Sequence, residues 1–277
     1  MMQNFIQILF VMWRETVEAM LVVGILHAWL TRNPSGTRGI AYLWSGVVAG
    51  LAGALLLGLG IEATNAVLSD EGREYFQAGM LLVAAGLIVK MVFWMRRHGR
   101  VLKQDMEQSL SGSARNQRWW GVFSLAAIAV AREGSEMVVF LSSLALGHNG
   151  LASGQFWLAL GLGMALAGGT FYMLQLGVKL VSWRLFFRVT EVLLLLLGCS
   201  LLVSSVEKLI DVGLLPAFQG RVWDSSVLLD DGTIWGGIVS AFTGYRARPA
   251  LTTLVVFFGY WLAIQWWMRQ DKPLVRA

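Results

Sequence analysis

Charged residues are scarce in this chain of 277 residues, in which Asp, Glu, Lys and Arg make up 14% and apolar residues 56%. Soluble domains carry about 25% charged residues, so a chain with this composition cannot cover itself with a polar surface. The mean hydropathy of +0.62 agrees with that conclusion. The composition therefore argues against a large soluble domain and predicts a polytopic membrane protein.

Cysteine and histidine are rarer still, with one cysteine and three histidines. The single cysteine, Cys199, excludes an intrachain disulfide and reveals little about the redox compartment. His27, His98 and His148 fall in predicted loops or near predicted helix ends, so none is expected to ligate a metal near the membrane centre. The net charge of +5 comes without a basic stripe interleaved with aromatic residues, which argues against nucleic-acid binding.

Long apolar segments predict seven transmembrane helices, because a bilayer core requires about 20 mostly apolar residues per helix. The predicted spans are, approximately, 5–30, 39–61, 73–95, 119–146, 154–178, 185–206 and 249–268. Basic residues collect in the short loops on the inner side of a membrane, and here 14 lie on one side against five on the other. The N-terminus is therefore predicted outside and the C-terminus inside.

Acidic residues show the opposite distribution, with nine in the predicted outer loops and three in the inner ones. Individually, these residues are expected to be solvated helix ends and loop positions. Together they would raise the local concentration of cations at the outer surface.

Two predicted spans contain an arginine and two glutamates in the pattern Arg-Glu-x-x-Glu. These residues are Arg14, Glu15 and Glu18 in the first span, and Arg132, Glu133 and Glu136 in the fourth. Because a helix has 3.6 residues per turn, the two glutamates of a motif project from nearby positions. The arginine lies four residues before the second glutamate and can pair with it.

The number of carboxylates exceeds what structural ion pairs require. A charge at the bilayer centre costs about 2.5–3.5 kcal/mol or more, and one arginine neutralises only one of the two glutamates in its motif. The surplus predicts a bound cation, bound protons or both. Carboxylate oxygens suit hard cations such as iron(III), manganese, calcium or magnesium. The nearby Met12, Met20 and Met137 are expected to be packing residues.

The motifs lie 118 residues apart, each in the first helix of a three-helix half. Three crossings per half give the halves opposite topology, the inverted-repeat design of many secondary transporters, which bind substrate near the midplane. We therefore predict an all-α integral membrane protein with one transmembrane domain over 1–277. Its parts are a first repeat at about 1–95, a flexible inner loop at 96–118, a second repeat at about 119–209, an outer segment at 210–248 holding a short interfacial helix or a re-entrant piece, and a last helix at 249–268.

Paired Arg-Glu-x-x-Glu motifs in the first and fourth helices resemble those of the oxidase-dependent high-affinity iron permeases of fungi and bacteria. The resemblance covers essentially the whole chain and extends to WD at 223–224 and GYRARP at 244–249. That family usually has Gly-Leu inside the motif, where this chain has Thr16-Val17 and Gly134-Ser135. The resemblance implies four metal ligands and two supporting arginines: Glu15, Glu18, Glu133 and Glu136, with Arg14 and Arg132.

The resemblance also implies a function, which is import of iron, handed over as iron(III) after oxidation on the outer side. The implied partner is an outer ferroxidase in fungi, or a periplasmic system with a cupredoxin-like protein and a haem peroxidase in bacteria. Iron would be the transported substrate, and no permanently bound cofactor is expected. A multi-pass position in the cell membrane follows, with the bacterial inner membrane as the expected one.

Two other functions remain open from the residues themselves. The transported ion could be a different metal cation, such as manganese or lead. A membrane di-iron oxidase would also use paired carboxylates, but such sites typically include Glu-x-x-His, which does not occur in this sequence.

Glu191 is a further acidic residue within a predicted span. It lies three residues after Arg188, so an ion pair at the end of the sixth helix is expected. The alternative is a secondary role as an inner exit-site ligand or proton acceptor.

Overall fold

The computed structural model describes residues 2–32, 37–98, 119–145, 153–175, 183–218 and 220–270. These ranges contain eight α-helices and no β-strand, which confirms the prediction of an all-helical chain. The helices are α1 (Met2–Arg32), α2 (Thr37–Val67), α3 (Asp70–His98), α4 (Trp120–Ala145), α5 (Gly154–Gln175), α6 (Trp183–Asp211), α7 (Ile234–Thr243) and α8 (Leu251–Gln270). Most of the predicted inner loop, several of the basic residues used to predict orientation, and His148 lie outside the described residues.

Five helices, α2, α3, α5, α6 and α8, are long and apolar enough to cross a membrane. The long helices outside this group are α1 and α4, which have 31 and 26 residues and each carry the three charges of one motif. At 1.5 Å per residue, both are longer than the roughly 30 Å of bilayer hydrocarbon. The charges of the motifs, rather than the lengths of the helices, distinguish these two from the others.

The most extensive helix contacts join elements from the two predicted halves. α2 packs against α4, α3 against α6 and α1 against α5, while α1 also packs directly against α4. These four pairs are symmetric between the predicted halves. Replacing each helix by its counterpart in the other half, α1 by α4, α2 by α5 and α3 by α6, gives the same four pairs. The contact between α1 and α4 places the two motifs side by side.

Small residues allow α2 and α4 to approach closely. Gly46, Gly50 and Ala54 follow one another at four-residue spacing along α2. A Cβ added to Gly50 would lie 2.8 Å from the carbonyl oxygen of Ala127, and one added to Gly134 would lie 2.7 Å from the Cβ of Ala54. Small residues at such spacing let membrane helices pack with their backbones in contact. Gly134 is inside the second motif, so this contact holds the motif turn of α4 against α2.

Replacing Gly50 by valine is expected to destabilise the protein by about 1–3 kcal/mol, because the added side chain would press on the backbone of α4. The measurement is the thermal unfolding midpoint of the purified protein in detergent. Gly53→Val is the matched control, since a Cβ at Gly53 would meet no atom of the described residues within 4 Å. An equal loss in both variants would contradict the role of this interface.

The outer segment contains the short helix α7, which packs against both α1 and α6. Thr233 caps its N-terminus by accepting a hydrogen bond from the amide of Gly236. Its C-terminus ends at Gly244, whose φ of 72° suits glycine. The expectation of a short helix in 210–248 is met by residues 234–243.

Two polar contacts hold α7 and the chain after it in place. The buried side chain of Gln7 in α1 donates a hydrogen bond to the carbonyl oxygen of Ala241 at 2.6 Å. Arg246, just after α7, donates to both carboxylate oxygens of Glu207 in α6, at 2.7 and 2.8 Å. A hydrogen-bonded pair of this kind adds geometric specificity as well as binding energy. The outer segment is thereby joined to one helix of each predicted half.

Candidate metal centre

The first motif forms two ion pairs within α1. Arg14 Nη1 lies 2.6 Å from Glu15 Oε1, and Arg14 Nη2 donates to Glu18 Oε1. The side chains of Arg14 and Glu15 are each 1% exposed, and that of Glu18 is 12% exposed. The pair between Arg14 and Glu18 follows the expected i, i+4 geometry.

The second motif has the same spacing but looser contacts. Arg132 Nε lies 3.6 Å from Glu133 Oε1 and 3.4 Å from Glu136 Oε1. The Arg132 side chain is 33% exposed, and its guanidinium carbon lies 4.0 Å from the ring centroid of Trp94 in α3. The two arginines are therefore in different environments despite their identical sequence context.

Three of the four predicted ligands form one group. Carboxylate oxygens of Glu15, Glu133 and Glu136 all lie within 4.8 Å of one another, at the contact of α1 with α4. The Oε2 atom of each is buried and has no hydrogen-bond partner among the described residues. Leaving a buried acceptor unsatisfied costs about 1–3 kcal/mol, and more for a charged group. Three clustered carboxylates that each have such an oxygen are what a cation with oxygen ligands would satisfy.

Glu18 is the predicted ligand that stands outside this group. Its Oε1 is bonded to Arg14, so the described arrangement commits it to the ion pair. Because Glu15 also contacts Arg14 and belongs to the group of three, a single guanidinium links Glu18 to the cluster.

Glu191 lies in a different contact. Its Oε1 accepts a hydrogen bond from Arg96 Nε of α3 at 2.5 Å. The predicted pairing of Glu191 with Arg188 in the same helix is therefore wrong. The reason is that α3 packs against α6 and supplies a partner that spacing along one helix cannot reveal. The pair joins the C-terminal end of α3 to the N-terminal half of α6.

Some of the outer acids already have basic partners. Arg248 Nε lies 2.9 Å from Asp224, and Arg73 Nη1 lies 3.8 Å from Asp70. Hydrogen bonds from Ser226, and then from Arg248, hold the pKa of Asp224 below its ordinary value. Asp224 therefore stays ionised but is partly neutralised. The proposed attraction of cations to this surface rests on fewer free charges than the count of nine acids suggests.

Three residues of α3, outside both motifs, complete the surroundings of the carboxylates. Met91 and Met95 contact the guanidinium of Arg14, and Trp94 contacts that of Arg132. Their spacing places them on one face of α3, but nothing in an apolar helix distinguishes that face in advance. Only the packing of α3 beside the motif helices identifies them.

The Iron permease FTR1 family matches residues 5–269. The chain belongs to this family. The family is one of transporters, so the predicted resemblance is confirmed and a di-iron oxidase loses support.

The relatives of this FTR1-family chain align with it over most of both sequences. It is 31% identical over 253 residues to the ferrous iron permease EfeU of Escherichia coli O6:H1, with 89% of each chain covered. It is 28% identical over 268 residues to the ferrous iron permease EfeU of Yersinia pseudotuberculosis, covering 94% of this chain and 90% of the relative. No solved structure matches the chain significantly. Family membership and the five apolar helices together support iron transport by a multi-pass membrane protein.

Proposed function

We propose that this protein imports iron through a centre formed by Glu15, Glu133 and Glu136, with Glu18 held beside it by Arg14. The observation that carries the proposal is the group of three buried carboxylates, each of which has an Oε2 atom without a hydrogen-bond partner among the described residues. Oxygen-only ligand sets suit hard cations, and the family supplies iron as the cargo.

The charge of the centre bears on which form of iron it binds. Four ionised glutamates and two arginines carry a net charge of −2, so a divalent cation leaves the centre neutral and iron(III) leaves it at +1. The resemblance predicts iron(III), delivered by an outer ferroxidase or a periplasmic oxidising system. The relatives are named for ferrous iron. Because a divalent ion would leave the centre neutral, iron(II) is the second candidate for the transported form of iron.

The proposed transport step is rocking of one three-helix half against the other. The helix contacts support a two-fold relation between the halves, because exchanging corresponding helices preserves the four most extensive packing pairs. Arg96 and Glu191 support their opposite topology, since they join the end of α3 to the beginning half of α6. In a seven-span arrangement with the N-terminus outside, this pair lies on the inner side. Opening toward the inner side would separate Arg96 from Glu191. The proposed role of Glu191 is therefore to keep the inner side closed rather than to bind metal.

Uptake of radioactive iron by bacterial cells, or by membrane vesicles that contain the protein, tests the function. Iron(II) is kept reduced in one arm, iron(III) is supplied as citrate in a second, and a ferroxidase is added to iron(II) in a third. We expect uptake that depends on the protein and resists competition by manganese and lead. Strong uptake of iron(II) without oxidation would contradict the iron(III) route. Equal competition by manganese would contradict iron specificity.

A further inference from the structure

Both motif arginines rest against the same turn of α3. Arg14 Nη1 lies 2.8 Å from Met91 Sδ, and the Arg132 guanidinium carbon lies 4.0 Å from the Trp94 ring centroid. Met91 and Trp94 are three residues apart and share a helix face. Neither residue belongs to a motif, so α3 supplies a third component of the centre.

The contact of Arg14 with Met91 and the contact of Arg132 with Trp94 differ in strength. A thioether sulfur is only a weak hydrogen-bond acceptor, so Arg14 is held chiefly by its own carboxylates. An indole ring is the best aromatic partner for a guanidinium, and the attraction grows when the pair is removed from water. Trp94 therefore competes for Arg132 in a way that Met91 does not compete for Arg14.

The ion-pair distances reflect this difference. Arg14 approaches Glu15 to 2.6 Å, whereas Arg132 lies 3.6 Å from Glu133 and 3.4 Å from Glu136. Charge-assisted N–H to carboxylate hydrogen bonds are about 2.7–2.9 Å long. The carboxylates of the second motif thus receive weaker bonds from their arginine than the spacing alone would allow.

We propose that Trp94 is a positioning residue that holds the Arg132 guanidinium back from Glu133 and Glu136, and thereby leaves both carboxylates available to iron. The inference rests on the proposed function. Arg132 stays close enough to moderate the repulsion between the carboxylates, but it approaches only their Oε1 atoms and leaves both Oε2 atoms without a partner among the described residues. The two motifs then have distinct tasks: in the first, Arg14 orders Glu15 and Glu18, and in the second, the ligands are kept free.

Trp94→Leu tests this role, because it removes the ring and allows Arg132 to close on its carboxylates. We expect the half-saturating iron concentration for uptake to rise about tenfold with a much smaller change in maximal rate. Trp94→Phe retains a weaker ring face and should give an intermediate rise of about threefold. Trp267→Leu is the matched control, since Trp267 in α8 stacks on Phe93 at 4.6 Å and should leave the concentration unchanged.

A double-mutant cycle separates positioning from general packing. Binding of iron(II) under anaerobic conditions is measured for the purified full chain in nanodiscs, alongside its unfolding midpoint. If Trp94 acts through Arg132, Trp94→Leu should weaken binding in the wild type and have little further effect in an Arg132→Gln background. Additive losses in the double variant, or a loss of maximal rate with unchanged half-saturation, would overturn the proposal.

The outcomes also distinguish the two proposals. A wild-type protein that neither binds nor transports iron would overturn the proposed function. A wild-type protein that does both, with Trp94→Leu matching it in half-saturation, would overturn the role of Trp94 alone. If Trp94→Leu does not fold, Trp94→Phe decides, because unchanged half-saturation in that variant contradicts the expected intermediate rise.

Discussion

Glu133→Gln is expected to abolish iron uptake while the protein still inserts into the membrane. Glu133 is 5% exposed, and one of its oxygens is buried without a partner among the described residues. Glutamine keeps the volume of the side chain but removes the negative charge. Mutations one shell away from a metal typically cost 10–100-fold in affinity or activity, so loss of a ligand should cost at least about 100-fold.

The measurement is radioactive-iron uptake normalised to the amount of protein in the membrane fraction. Glu15→Gln should behave in the same way, because Glu15 belongs to the same group of carboxylates. Glu62→Gln, an exposed acid on α2, is the control for losing one glutamate charge and should transport normally. Normal transport by both Glu133→Gln and Glu15→Gln would rule out this centre as the path of iron.

Arg14→Met is expected to destabilise the protein by about 3–5 kcal/mol, because it leaves two buried carboxylates without their shared partner. Arg14 is 1% exposed and contacts both Glu15 and Glu18. Arg132→Met should cost much less, on the order of 1 kcal/mol, because Arg132 is 33% exposed and its contacts are longer. The measurement is unfolding in detergent, together with the amount of protein recovered from membranes.

A second substitution distinguishes the two possible causes of the stability loss in Arg14→Met, an uncompensated charge and lost packing. Adding Glu18→Gln to Arg14→Met removes one of the two unpaired charges, so the double variant should recover part of the lost stability. Recovery would show that the uncompensated charge, rather than lost packing of the arginine stem, causes most of the loss. Equal destabilisation by Arg14→Met and Arg132→Met would contradict the difference between the two motifs.

Much of the helical framework was predictable, because long apolar segments determine where membrane helices form. All seven predicted spans coincide with described helices, although several helices extend beyond the predicted ends. Their extensions are mostly polar residues that continue the helix outside the apolar stretch, where hydropathy gives no signal. The count of crossings and the orientation stay predictions, since many loop residues that set them lie outside the described ranges.

The chemistry of the motifs was predictable only within one helix. Spacing correctly indicated that Arg14 could reach Glu18, since both lie on α1. It could not indicate that Arg132 would lie on Trp94, or that Glu191 would pair with Arg96, because those partners come from α3. Contacts between helices depend on tertiary packing, and the periodicity of a single sequence does not indicate which helices pack together.

The pairing of charges within each motif helix also has a consequence for how the protein is made. Three isolated charges would each cost about 2.5–3.5 kcal/mol when α1 enters the bilayer, long before α4 has been synthesised. Because Arg14 pairs with carboxylates on α1 itself, we expect the helix to enter lipid with one of its two glutamate charges already compensated. We therefore expect insertion of α1 to precede assembly of the centre, because the cluster of three carboxylates forms only when α1 and α4 meet.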